Sequence, residues 1–301
     1  MIHILITIIA PIIVIAGLGA LLDRTKAIET RAISRVVIYL ANPALAFYGI
    51  ANSSIKSSEL GGLFLFSILS VGTITIFAWL VSVGLKMDRL TRSAFILSIA
   101  LINMGNYGLP LNEFAFGQPG LERAIIIAVL NSLNANTLGI FLASSGKASI
   151  PQALVNVFKV PLPHAVILGL IVNLGHLSVP DFVMRVTGLL SEAAVPLMLI
   201  MLGIQISRVS LRGGRWKIIA GASSLRLLGG AVVGFLFSVL LGLEGVTHKV
   251  AVVEAAMPTA VVSSVLATEF DNDSKLVSSI ILLSTLLSLI TLPIILYFLM
   301  K

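Results

Sequence analysis

The sequence predicts an all-α polytopic membrane protein: ten transmembrane helices as two inverted five-helix repeats, with helices four and nine broken and crossing. Three observations carry that prediction. The 301 residues are 57% hydrophobic and only 11% charged, with a mean hydropathy of +1.08, whereas a soluble domain carries roughly a quarter charged residues. The basic residues alternate from loop to loop. Matching prolines and aromatics recur about half a chain apart.

The spans follow in order. The first covers about 2–22; it lacks the basic flank and small-residue cleavage site of a signal peptide and is read as a retained helix. The next nine cover about 33–52, 61–85, 93–115, 122–144, 161–178, 183–206, 216–242, 248–269 and 275–299. The sixth is the most interrupted, crowded by Pro161, Pro163 and Pro180. The domain division expected is a first five-helix repeat over 1–145, a cytoplasmic linker over 146–160 and a second, inverted repeat over 161–301.

Orientation comes from the loops. Those after spans one, three, five, seven and nine hold fourteen Lys and Arg, Arg24, Arg35, Lys86 and Arg208 among them, and the opposite side holds five. Basic loops stay cytoplasmic, so both termini are expected outside the cytoplasm of a multi-pass cell (inner) membrane protein. The net charge of +7 is explained by this asymmetry and does not imply nucleic-acid binding. There is no cysteine, which excludes disulfides and thiolate metal sites. His3, His164, His176 and His248 are too scattered for a metal motif. No cofactor and no metal are expected.

The repeat rests on spacing. Pro11 and Pro163 lie 152 apart, Pro43 and Pro196 lie 153 apart, and Phe116 and Phe270 lie 154 apart. An odd number of spans per half forces the second copy upside down, the pattern of inverted-repeat secondary transporters. The sequence places one break at Asn103–Pro110 in span four and another at Pro258 in span nine. Proline removes a ladder bond, and its ring clashes with the carbonyl four residues back. Broken helices at membrane depth persist where they are buried in protein or line a wet cavity. Adding 153 to Pro110 gives Ser263 rather than Pro258, so the symmetry is expected to be approximate at the breaks. Half-helix N-termini carry partial positive charge and free N–H donors, which favour an anion.

Candidate substrate-binding residues follow from the breaks. Asn103, Asn106 and Pro110 share a helical face at i, i+3 and i+7. Asn131 and Asn134 share a face of span five, Pro258 and Thr259 stand at the second break, and Asn42 faces them from span two. Amides donate and accept, so they can hold a carboxylate without carrying charge; interhelical hydrogen bonding is the alternative use of such residues. Gln205 is a further polar point in span seven. Glu254 and Arg226 are ionisable residues inside spans and are candidates for charge or proton coupling. Arg226 has the alternative of snorkelling.

Three stretches, Ala41–Leu45, Asn103–Leu111 and Met257–Ala267, resemble the auxin efflux carrier family, which includes bacterial permeases for malonate, malate and similar acids. The Gly-Asn-x-Gly-Leu-Pro pattern of Gly105–Pro110 is the most specific part, and the likeness extends over all ten spans, in a short prokaryotic form without a long central loop. The resemblance implies an elevator-type carrier of small organic anions. Spans one, two, six and seven would form a scaffold and homodimer interface, and the remaining spans a moving transport domain. It makes Asn103, Asn106, Pro110, Asn131 and Pro258 the leading site residues. Two other readings stay open: a sodium-coupled organic anion symporter of the bile-acid transporter type, and a membrane ligand sensor that does not transport. An enzyme is not expected, because no Ser/His pair, aspartate dyad or metal motif lies within the spans.

Overall fold

A computed structural model describes residues 1–26, 29–53, 55, 57–143, 159–209 and 215–301. Of the linker expected at 146–160, only Lys159 and Val160 are among them. The chain is all-helical, with no strand among the described residues. The helices are α1 (Ile2–Lys26), α2 (Thr30–Ala51), α3 (Ser57–Gly84), α4 (Arg89–Ala100), α5 (104–116) and α6 (118–143). Then come α7 (Pro161–Leu174), α8 (Asp181–Arg208), α9 (Trp216–Leu240), α10 (Gly245–Ala255), α11 (Val262–Glu269) and α12 (Ser274–Leu299). Among the described residues, seven helical stretches are long and apolar enough to cross a bilayer, and the fourth of these, Met104–Ala143, contains both α5 and α6. The helix α7 is apolar but shorter.

Local chemistry sets the helix ends. Asp88 caps α4, accepting the N–H groups of Leu90 and Thr91 at 3.1 Å each. Asp273 does the same for α12 through Leu276 N–H at 3.0 Å. Gly117 turns α5 into α6 with φ 65° and ψ −160°, a conformation that a side chain would strain.

The first break lies earlier than the sequence suggests. It spans Leu101–Asn103, not Asn103–Pro110: Leu101 is extended, and the helix resumes at Met104. Pro110 sits inside the resumed helix. The reason is a π-helical turn over Met104–Gly108, where Leu109 N–H bonds the carbonyl of Met104 five residues back. The wider turn relieves the clash between a proline ring and the carbonyl behind it, so the helix carries its proline without breaking. The same device precedes Pro11, with a π turn over Leu5–Ile9, and Pro43, with one over Val37–Ala41.

One apolar cluster runs through α1, α2, α3, α5, α6, α7, α8, α10 and α12, with Ile12, Ile50, Phe66, Ile125, Met198 and Leu292 among its buried members. The helices α1 and α8 cross at Gly19 and Gly203, where the carbonyls of Ile200 and Ala16 occupy the space a Cβ would need. Gly169 of α7 packs on Ile50 of α2. A separate apolar cluster joins α3, α4, α9, α11 and α12 through residues such as Ile74, Phe95, Ile219, Leu266 and Ile280.

Candidate functional site

The two breaks meet. Leu101–Asn103 and Pro258–Ala260 run antiparallel and exchange backbone bonds, Asn103 N–H to Pro258 O and Ala260 N–H to Leu101 O, both 2.9 Å. This pairing satisfies extended backbone that has no helix ladder to join. Thr259 braces it from behind: its hydroxyl donates to Ser98 O at 2.7 Å, and its N–H reaches Ser284 Oγ at 3.3 Å. Asn131 of α6 braces it from the front, donating from Nδ2 to Ile102 O at 3.0 Å.

Four helix ends converge on this crossing. The N-terminal ends of α5 and α11 open onto a cavity of about 430 Å³, lined there by Gly105, Asn106, Val261 and Val262. Of their first-turn N–H groups, that of Met104 already bonds Ile102 O at 2.9 Å, that of Ser263 bonds Ala260 O at 3.1 Å and that of Ser264 bonds Val261 O at 3.0 Å, so what these ends offer is chiefly the partial positive charge of the helix dipole. The C-terminal ends of α4 and α10 point the other way and meet Arg226. Its guanidinium donates to Ile99 O at 2.6 Å and to Ala255 O. The side chain is 1% exposed and comes from a π turn, Leu225–Gly229, within α9. One buried cation thus closes both negative helix ends, and the snorkelling alternative for Arg226 is not what the structure adopts.

The cavity wall is mostly apolar and carries a set of neutral polar side chains. Asn42, Asn103, Asn106, Asn131, Ser34, Ser132 and Gln205 line it, and no ionisable side chain is among its described lining residues. Asn103 is 6% exposed. Asn103 Nδ2, Asn42 Oδ1 and Asn131 Oδ1 are buried without a hydrogen-bond partner among the described residues. Unpaired polar groups of this kind are costly and rare, and these three, Asn42 facing Asn103 and Asn131 across the cavity, offer both donors and acceptors to a ligand. Asn106 reaches across to Gln205 Oε1 at 3.4 Å, linking α5 to α8. The cavity extends from the crossing towards the end of the bundle where α8 finishes and α2 and α7 begin, past Val37, Leu162 and Val265.

The structure therefore brings together Asn42, Asn103, Asn106 and Asn131. Asn134 and Pro110 do not line the cavity, and Pro110 is buried within α5. Pro258 contributes its carbonyl to the crossing, and Thr259 its brace. Glu254 lies behind α5, away from the cavity. Gln205 and Ser132 join the site; a polar residue in an apolar span was the signal for Gln205, and nothing distinguished Ser132.

Paired discontinuous helices meeting at a cavity are a feature of membrane transport proteins. Residues 4–296 match the family described as membrane transport protein. The chain belongs to this family, that of the auxin efflux carriers, as the Gly105–Pro110 pattern suggests. It is 34% identical over 275 residues to an uncharacterized transporter of Methanothermobacter thermautotrophicus, covering 88% of this chain and 87% of that protein. It is 29% identical over 277 residues to the uncharacterized transporter MJ1031 of Methanocaldococcus jannaschii, covering 87% of each.

Proposed function

We propose that the protein is a secondary carrier of small organic anions, carboxylates such as malonate, malate or auxin-like acids, with the anion held at the crossing of the two broken helices. The observation that carries this reading is the cavity itself: two half-helix N-termini and an Asn103 amide donor without a partner among the described residues converge where no described lining residue is cationic. Helix ends and neutral amides attract a carboxylate without holding it as tightly as a buried lysine would, which suits a solute that must be released.

The mechanism proposed is an elevator. In it, ten crossings arise by counting α4 with α5, and α10 with α11, as broken spans. The bridged positions Ile102 and Thr259 lie 157 apart, close to the spacing of the proline pairs, which supports two inverted halves. The helices α1, α2, α7 and α8 form the scaffold and the contact of a homodimer, and the others move. The cavity is lined by α2, α7 and α8 on one side and by α5, α6 and α11 on the other, the interface along which such a motion slides. With the basic loops cytoplasmic and both termini outside, the cavity opens inward.

The sodium-coupled alternative has a specific observation against it. Freed carbonyls at the breaks would be the ligands for Na⁺, and those of Ile99 and Ala255 already bond Arg226. Radiolabelled malonate and malate flux into proteoliposomes, under an imposed potential, a proton gradient or a sodium gradient in turn, tests the reading. Flux that answers to potential or protons and ignores sodium is expected. Acceleration by sodium alone would favour the symporter, and binding without flux would favour the sensor.

A further inference from the structure

Glu254 ends α10 with a fully buried side chain that the cavity does not touch. Its Oε1 accepts from Asn112 Nδ2 at 2.8 Å, and its Oε2 is buried with no hydrogen-bond partner. Asn112 also donates to Gly108 O at 2.9 Å and leaves its own Oδ1 buried and unpaired. Gly108 closes this pocket, since a Cβ there would come within 2.7 Å of Oε1. Two buried acceptors without partners among the described residues therefore share a tight space. A carboxylate so placed keeps an uncompensated charge, which is expensive, whereas its protonated form is neutral and gains a donor.

Among the described residues, no cation is paired with that carboxylate. Arg226, on α9, makes no ion pair with Glu254 and gives its guanidinium to Ile99 O and Ala255 O. On α5, the Tyr107 hydroxyl is turned to Ser288 of α12, at 3.5 Å, and the half-buried Glu113 adds a further acid. Glu59 of α3 and Arg123 of α6 pair with each other beside Thr247, two turns away along α10. His248 and Lys249 lie on α10 itself near its start, and Lys217, Lys275 and Lys301 lie at the far ends of α9 and α12.

We propose that Glu254 is a proton-binding site coupled to the anion, so that the carrier moves one proton together with its substrate. The proposal rests on the anion-carrier reading above. On α5, Gly108 and Asn112 meet Glu254, while Gly105, Asn106 and Leu109 line the cavity. The Glu254 carboxyl thus stands behind the same helix N-terminus that meets the anion. Ionised, it opposes the anion across one helix, roughly 10 Å. At an effective dielectric of about 20, like charges at that separation weaken binding roughly tenfold. A proton taken from water onto the carboxyl removes the repulsion, and by reciprocity bound anion favours the proton.

Two measurements on the full-length protein test this. Infrared difference spectroscopy of the purified protein, titrated in pH without substrate, reads the carboxyl directly. A protonated-carboxyl C=O band is expected that titrates in the wild type, is missing in Glu254→Gln, and is shifted in frequency in Asn112→Ala, which removes the hydrogen-bond partner of the carboxyl. Malonate affinity, measured by a labelled-ligand binding assay, is expected to fall roughly tenfold as that band disappears, and to be independent of pH in Glu254→Gln. A wild-type spectrum identical to that of Glu254→Gln overturns the proposal, as does a Glu254→Gln protein whose malonate affinity keeps the wild-type pH dependence. If malonate does not bind at any pH while the band titrates, the proton site stands and the anion-carrier reading fails for that acid.

Discussion

Asn103 combines the features that a neutral anion site needs: it is buried, it donates its backbone N–H to the second break, and its Nδ2 has no partner among the described residues. A hydrogen bond to a charged group contributes about 1.5–3 kcal/mol. Asn103→Ala is therefore expected to lower substrate affinity by roughly ten- to a hundredfold while the thermal midpoint stays near that of the wild type. Pro110→Ala, by contrast, is expected to retain flux, because the ring lies inside α5 and off the cavity wall; loss of flux there with intact folding would bring Pro110 back into the site. Arg226→Ala should cost about 2–3 kcal/mol or more, because it strips the donors from two buried carbonyls, and a lowered thermal midpoint would register it. The amides were legible in the sequence because polar groups in apolar spans are expensive and must have a use. Their division of labour was not. Thr259 resembles Asn103 in sequence, yet its hydroxyl is spent on Ser98 O, and only the crossing of two distant segments reveals that.

Among the elements, the broken pairs depend on how each half-helix starts and stops. The Thr91 hydroxyl, then the Thr91 and Leu90 amides, hold the Asp88 carboxyl below the usual carboxylate range. A carboxyl depressed in the folded state stabilises above its unfolded value, and that contribution is lost as pH falls through the lowered one. Asp88→Ala is expected to destabilise by about 1 kcal/mol near neutral pH and to show a smaller penalty in acid, as thermal melts across pH would register. Gly117→Ala places a side chain at φ 65° and should cost about 1 kcal/mol or more. Element positions were readable from apolar runs, but the first break was displaced by several residues. Proline marks a break only if the preceding turn is α-helical, and the π turn at Met104–Gly108 carries no sequence signature beyond the proline itself.

The whole molecule places a cavity with no ionisable side chain among its described lining residues at the crossing of the two breaks, open towards the end where α8 finishes. The cysteine-free sequence makes the sidedness of that opening directly measurable. A cysteine introduced at Val265, which lines the cavity and is 57% exposed, is expected to react with a membrane-impermeant maleimide only from the cytoplasmic face, and added malonate should slow the reaction. Labelling from the outer face alone would reverse the orientation. The central claim, that an organic anion is held at the crossing by amides and helix ends, is tested most directly by radiolabelled malonate uptake into proteoliposomes carrying the wild type, Asn103→Ala or Pro110→Ala, each checked for folding. Uptake by the wild type and Pro110→Ala, with loss in Asn103→Ala, is the predicted result. Wild-type uptake that survives intact in Asn103→Ala would contradict the account.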